Sequence, residues 1–422
     1  MRRVVTLNQA VSLQKEEASL CEEGYFRSID LLRRNTIPEG ILACTPGERA
    51  SGRHYESIFG RDASICALGM FASREPDLIA AGQNGLRTLS HYQAANGQIP
   101  KYVKPQLHEV DFWYTGCIDA TLWWLIAVRL HDRLVEDSSL EKELSEQVER
   151  AWQWLLCQEH QSWHLLQQNE ASDWADIMPR SGFVLYTNTL WYWAKCLYDR
   201  SSAEKTRDFA NDLFCPDGRT VPLQRRIRLF VHYMRNRAKP NDFYRSFVNL
   251  SFWGTEIDTF GNVLAALTGM ADFSKSRRIV SSLMRMEVHR PWPLRVVGEP
   301  IRKNNPLWRL YMQRHQQNLP FQYHNGGSWP FVGGFWILLL KRLGMEQEAW
   351  QELEQLAFAN RQGNWQFNEW FHGQSGEPMG MPGQSWNAAL YVLAWQALKG
   401  RLPLFDLPCS LVEKPVQQCM SN

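Results

Sequence analysis

The chain of 422 residues is 44% hydrophobic and carries 46 basic against 44 acidic residues, a net charge of +2. That apolar content fills a large core, and so even a charge balance excludes a nucleic-acid polyanion as the main partner. The nine cysteines are odd in number, scattered and without a CxxC pair, which excludes a disulfide framework and a zinc site and points to reduced thiols in the cytoplasm.

Residues 1–17, MRRVVTLNQAVSLQKEE, lack an apolar stretch, so no signal peptide is expected. In chain order, apolar spacing of three and four predicts helices over 13–34, 61–72, 76–92, 117–134, 139–160, 188–198, 203–213, 223–235, 257–270, 274–286, 328–343, 346–359 and 384–398. The locally basic stretch 223–237 reads as a solvated helix face. The longest apolar run, 331–340, is too short to span a bilayer, so no membrane is expected. Strand signals are few, and no linker divides the helices, so 1–422 reads as one domain with its core at about 25–400.

Long loops rich in Gly, Pro, His, Asp and Trp lie at 44–60, 96–116, 168–187, 240–256, 288–327 and 361–383. Loops of this length in a compact domain are usually functional. They recur after about every second helix. The rhythm predicts an all-α (α/α)6 barrel, a toroid of six helical hairpins whose loops build a cleft at one end. The 19 tryptophans suit such a protein, since large helical cores and sugar clefts both use their flat faces.

Two loops carry the chemistry. In 364–390, Glu369 stands among Phe367 and Trp370, followed by a Gly- and Pro-rich turn and Gln384-Ser385-Trp386. In 170–180, Asp173 and Asp176 flank Trp174 ahead of Pro179-Arg180. A glycosidase needs one protonated carboxyl as acid and one ionised carboxylate as nucleophile or base. A carboxyl beside a tryptophan is partly desolvated, which raises its pKa towards the useful range. On chemistry alone Asp173 and Asp176 are nearly tied, and either could instead cap the following turn or pair with Arg180.

Phe59-Gly60-Arg61-Asp62, Gly97-Gln98-Ile99-Pro100, Tyr114-Thr115, Asp119-Ala120 and Trp174-Ala175-Asp176 resemble the amylo-α-1,6-glucosidase (glycogen-debranching) family. That resemblance implies Asp176 as general acid and Glu369 as base. Leu31-Leu32-Arg33-Arg34, Phe260-Gly261-Asn262 and 323–330, YHNGGSWP, are similar to the neutral/alkaline invertases. Both families carry a sugar-contacting glutamate where this chain has Tyr186, a departure that leaves the sugar contact there open.

Arg61 and Asp62 could grip a sugar or form a buried ion pair. Asp119 could contact substrate or cap its helix. His324 and Asn325, in an HNGG turn, could hydrogen-bond hydroxyls. Trp174, Trp329, Trp370 and Trp386 are candidate stacking faces, and Arg180, Tyr186, Asn188 and Gln384 complete the expected substrate-binding set. His54, His108 and His372 match no metal spacing, so neither a metal nor another cofactor is expected.

The resemblance implies an inverting hydrolase of a small α-glucoside, amylo-α-1,6-glucosidase-like or, alternatively, acting on sucrose or a related glucoside. Its partner is a small saccharide, and a homo-oligomer is compatible with the sequence. Two rivals belong to other classes. A cyclase or lyase would enclose an apolar cavity and leave Glu369 unused, and a carbohydrate-binding protein would need no opposed carboxylates.

Overall fold

Twelve of the helices alternate between two kinds along the chain, and their sequences say which is which. One kind is apolar nearly all round. The other has a single apolar stripe and a charged face. A helix apolar on every side has to be buried, whereas a striped helix covers a core and faces water. The structure, a computed structural model, describes residues 19–135, 137, 139–215, 224–237, 241–250 and 252–402. The N-terminal segment 1–17, the start of the first expected helix at residue 13, and Leu223 at the start of the basic helix lie outside the described residues.

The striped helices are α1 (Leu20–Asn35), α3 (Pro76–His91), α5 (Ser145–Leu156), α7 (Ala203–Phe214), α9 (Phe273–Arg285) and α11 (Glu346–Trp365). The apolar helices are α2 (Gly60–Ser73), α4 (Ile118–Val135), α6 (Leu185–Leu197), α8 (Thr259–Thr268), α10 (Pro330–Arg342) and α12 (Ser385–Leu398). In the second set each helix packs on the next, α2 on α4, then α6, α8, α10, α12 and back to α2. This closed inner ring, sheathed by the striped helices, is an (α/α)6 barrel. Every residue of α8 and of α12 is buried. In α9, Ile279, Val280 and Leu283 turn inward and the arginines face out.

Connections from an inner helix to the following outer one are mostly short, as at 74–75, 269–272 and 343–345. Connections from an outer helix to the next inner one are long. The N-termini of the inner helices therefore collect at one mouth, and the long loops pile up around it. Bridges knit those loops together: Cys44 to Gln384, Asp258 to Val297, Arg295 to Ser328, and Ser328 to Phe371.

The loops hold more strand than the sequence signals. Among the described residues, eleven strands of two or three residues form four small antiparallel sheets. One joins Ile58–Phe59, Tyr102–Lys104 and Glu109–Asp111. Another joins Gln167–Gln168, Gly182–Val184, Phe247–Asn249 and Phe252–Trp253. Strands this short carry no readable alternation, because their pairing is set by loops that meet only in the folded ring. Some helix bounds also shift. The helix expected over 139–160 is broken into Ser139–Glu143 and Ser145–Leu156. The helix expected from 188 begins at Leu185, which places Tyr186 inside it.

Candidate active site

The mouth of the barrel encloses a cavity of about 320 Å³ lined by residues from the 44–60, 96–116, 168–187, 288–327 and 361–383 loops and the first turns of α2 and α12. Of the sequence candidates, Arg61, Asp62, Trp174, Asp176, His324, Trp329, Glu369 and Trp386 line it.

Glu369 lies just before the strand Trp370–Phe371. Its Oε1 accepts the Tyr55 hydroxyl at 2.6 Å and its Oε2 accepts the Met381 N–H at 2.9 Å. The turn that brings Met381 there needs Gly380, whose φ is +74°. A Cβ on Gly380 would lie 2.3 Å from Glu369 Oε2. Burial pushes the carboxyl up to about 7. The Tyr55 and Met381 hydrogen bonds pull it down, and the Asp62 and Asp176 charges push it up again. The group therefore changes charge near neutrality.

The two aspartates of the other loop separate cleanly. Asp173 is consumed by the loop itself: Oδ1 accepts Ala175 N–H at 2.8 Å and Oδ2 accepts Gln168 Nε2 at 2.9 Å. Burial raises its carboxyl to about 6, but it does not line the cavity. Asp176 faces the cavity, and its Oδ1 has no hydrogen-bond partner in the protein. His324 Nδ1 lies 3.4 Å from that oxygen. Burial, with Arg61 and Arg180 nearby, holds His324 well below the usual imidazole range, so it is neutral there. Burial raises Asp176 above the ordinary aspartate value, and Lys101 and Arg61 oppose the rise.

Aromatic faces form the walls. Trp329 stacks on His324 at 5.2 Å and donates its Nε1 to Tyr323 O at 3.0 Å. Trp386 lies flat on Phe331 at 4.0 Å. The Nε1 atoms of Trp174 and Trp386 have no partner in the protein. A buried N–H without a partner is costly, and here two of them stand at one cavity.

Several expected substrate contacts engage other groups of the protein. Tyr186 is fully buried on α6, donating to Asp119 Oδ2 at 3.0 Å and accepting Trp123 Nε1 at 2.8 Å. Asp119, also buried, is 3.4 Å from Arg61 Nη1, and Arg61 Nε is 3.3 Å from Asp62 Oδ2. Tyr186 and Asp119 therefore hold Arg61 from beneath the cavity. Arg180 turns away into Glu256 and Asp258, both at 3.3 Å. Asn188 ties Leu166 and Val184 by their backbones, and Asn325 ties Ile301 and Asn318. Gln384 precedes α12, its N–H bound to Phe367 O, and Trp370 packs on Tyr323 at 5.8 Å. Tyr186, Asp119, Arg180, Asn188, Asn325, Gln384 and Trp370 do not line the cavity, whereas Arg61 and Asp62 do. The common cause is that side chains at inner-helix starts and loop crossings are needed to satisfy buried backbone and charge.

The sequence reading missed Tyr55, Tyr323, Lys101, Asp111 and Trp113, which do line it. Lys101 directly follows Gly97-Gln98-Ile99-Pro100, and Tyr55 lies four residues before Phe59-Gly60-Arg61-Asp62. A polar or aromatic residue flanking those motifs was the available signal.

Comparison with known proteins agrees with this architecture. Residues 253–400 match the sequence model of the alkaline and neutral invertases. Alkaline/neutral invertase E, chloroplastic, from Arabidopsis thaliana is 21% identical over 393 residues, and the match spans 75% of this chain and 62% of that relative's length. A GH63 mannosylglycerate hydrolase from Thermus thermophilus, solved with Tris and D-glycerate, superposes with a TM-score of 0.60 at 14% identity, covering 88% of this chain and 99% of that one. A bacterial glucoamylase complexed with acarbose gives a TM-score of 0.60 at 12% identity over 91% of this chain and 56% of that one. These solved neighbours are six-hairpin (α/α)6 barrels, the fold expected from the helix and loop rhythm.

Proposed function

We propose that the chain hydrolyses an α-glucosidic bond in a small saccharide with inversion at the anomeric carbon. The observation that carries this is the meeting of Asp176 and Glu369 in one aromatic-walled cavity, one with an unbonded oxygen and the other with both oxygens held. Protonated Asp176 donates to the glycosidic oxygen as the bond to the anomeric carbon breaks. Ionised Glu369 takes a proton from the water that attacks that carbon from the opposite face. One water is consumed, and glucose and the alcohol of the leaving group are released. Tyr55 and the Met381 N–H fix the Glu369 carboxylate so that one geometry is presented to the water.

The match to the invertase family over 253–400 favours a small glucoside of the sucrose type over an α-1,6 branch. The seven described cysteines are all free, which supports a reducing compartment such as the cytoplasm. No helix among the described residues is long and apolar enough to cross a membrane.

The test is hydrolysis followed by proton NMR on sucrose, isomaltose, panose and glucosides of glycerol and glycerate. Early appearance of β-glucose is the expected result. Early α-glucose would overturn inversion, and full activity in both Asp176→Asn and Glu369→Gln would overturn the catalytic pair.

A further inference from the structure

The cations at this mouth fall into two groups. Arg61 is held by Asp62 and Asp119. Lys104, on the neighbouring strand, pairs with Glu109 at 3.1 Å and touches His54. Lys101 and Arg53 line the cavity, and among the described residues neither pairs with a carboxylate. Lys101 Nζ rests 3.5 Å from the centre of the Trp113 ring. That face attracts an ammonium but supplies no countercharge. The Asp111 carboxylate, on the same wall, accepts the Trp113 N–H at 3.1 Å.

The Lys101 backbone is clamped on both sides. Its N–H donates to Asp111 O at 2.7 Å, and its carbonyl accepts the Gly60 N–H at 2.8 Å. The ammonium therefore projects from a fixed base at the junction of the 44–60 and 96–116 loops.

A cation with no carboxylate at ion-pair distance works against the acid here, although its charge also acts on Asp62. Lys101 is the foremost of the charges that draw the Asp176 carboxyl back towards its ionised form, and a general acid has to hold its proton. With a neutral leaving group that cost would stand throughout catalysis. An anion seated against Lys101 cancels it.

We infer that the leaving group of the substrate carries a negative charge, a carboxylate or a phosphate, seated against Lys101 with Arg53 at the rim. The inference rests on the glycosidase reading above and narrows its substrate class. One contact then does two things: it selects the charged glycoside, and it lets Asp176 keep its proton when that glycoside is bound.

Matched pairs test this. The rates of 2-O-α-glucosylglycerate against 2-O-α-glucosylglycerol, and of sucrose 6′-phosphate against sucrose, compare each anion with its neutral counterpart. The expected result is a charged-to-neutral ratio in kcat/KM of about tenfold or more in at least one pair, falling towards unity in Lys101→Met and with added salt. The pair that shows it separates carboxylate from phosphate. A ratio of one or less in both pairs, or a ratio untouched by Lys101→Met, overturns the inference and leaves the hydrolase reading standing. Calorimetry with free D-glycerate, inorganic phosphate and glycerol tests the anion seat without any turnover. Tighter binding of an anion than of glycerol, lost in Lys101→Met, supports the seat even if every glycoside tried is inert. Equal or absent binding of both anions overturns it.

Discussion

Two acidic regions meet at the mouth of this barrel and are built to opposite ends. Around Arg61, the charges of Asp62 and Asp119 and the hydroxyl of Tyr186 are engaged with one another, and Tyr186 and Asp119 are fully buried. Across the cavity, Asp176 keeps an oxygen without a partner, and Glu369 is gripped yet sits near neutrality. In the first region Asp119 and Tyr186 are closed on each other, while Asp62 Oδ2, like Asp176 Oδ1, meets only an ion-pair contact. The second keeps capacity in reserve. Burial alone thus says little about role; what sets Asp176 and Glu369 apart from Asp119 and Tyr186 is that they line the cavity.

The largest effect should come from the open side. Asp176→Asn and Glu369→Gln should each lower kcat about 10²–10⁴-fold, measured on any glucoside the parent cleaves, with the melting curve preserved. Near-parental turnover in either variant would break the contrast. On the closed side the loss should appear in stability. Asp119→Ala strips Arg61 of a buried partner and should cost about 3–5 kcal/mol in denaturant unfolding. Tyr186→Phe should cost about 1–3 kcal/mol, because it leaves Asp119 and the Trp123 N–H short of a partner.

Tyr55→Phe sharpens the contrast through pH. The Tyr55 hydroxyl stabilises ionised Glu369, so removing it raises that carboxyl further. The base must be ionised to work, and the acidic limb of the kcat profile should therefore move to higher pH. A shift of about one unit corresponds to the ~1.5 kcal/mol that a hydrogen bond to a charged group is worth. An unmoved limb would separate Tyr55 from the base. The smallest effect belongs to Asp173→Asn. Asparagine can still accept from Ala175 N–H, so kcat should stay within about tenfold of the parent. A loss as deep as that of Asp176→Asn would reverse the reading of the two aspartates.

Much of this was legible in order along the chain. Apolar runs such as LWWLIAV in α4 and GFWILLL in α10 announce helices with no solvent face, and the alternation with striped helices announces a ring around them. Loop placement followed from the same rhythm. Among the site residues, Glu369 stood out as a carboxylate beside tryptophan in a glycine- and proline-bearing loop, whereas Asp176 was set apart from Asp173 only by the resemblance to the amylo-α-1,6-glucosidases.

The sequence by itself determined the helix inventory, the ring and the two loops that bring the carboxylates, because those depend on periodicity and on local chain breaks. The tertiary structure decided which polar residues look into the cavity. Asp173 and Asp176 are indistinguishable by neighbourhood until Gln168 and the Ala175 N–H claim the first. Tyr186 stands where a sugar contact was expected, yet it is drawn beneath the cavity by Asp119 and Trp123 from another helix. Tyr55 reaches Glu369 across 314 residues of chain. Long-range hydrogen bonds of this kind leave no periodic trace, so only closure of the ring assigns them.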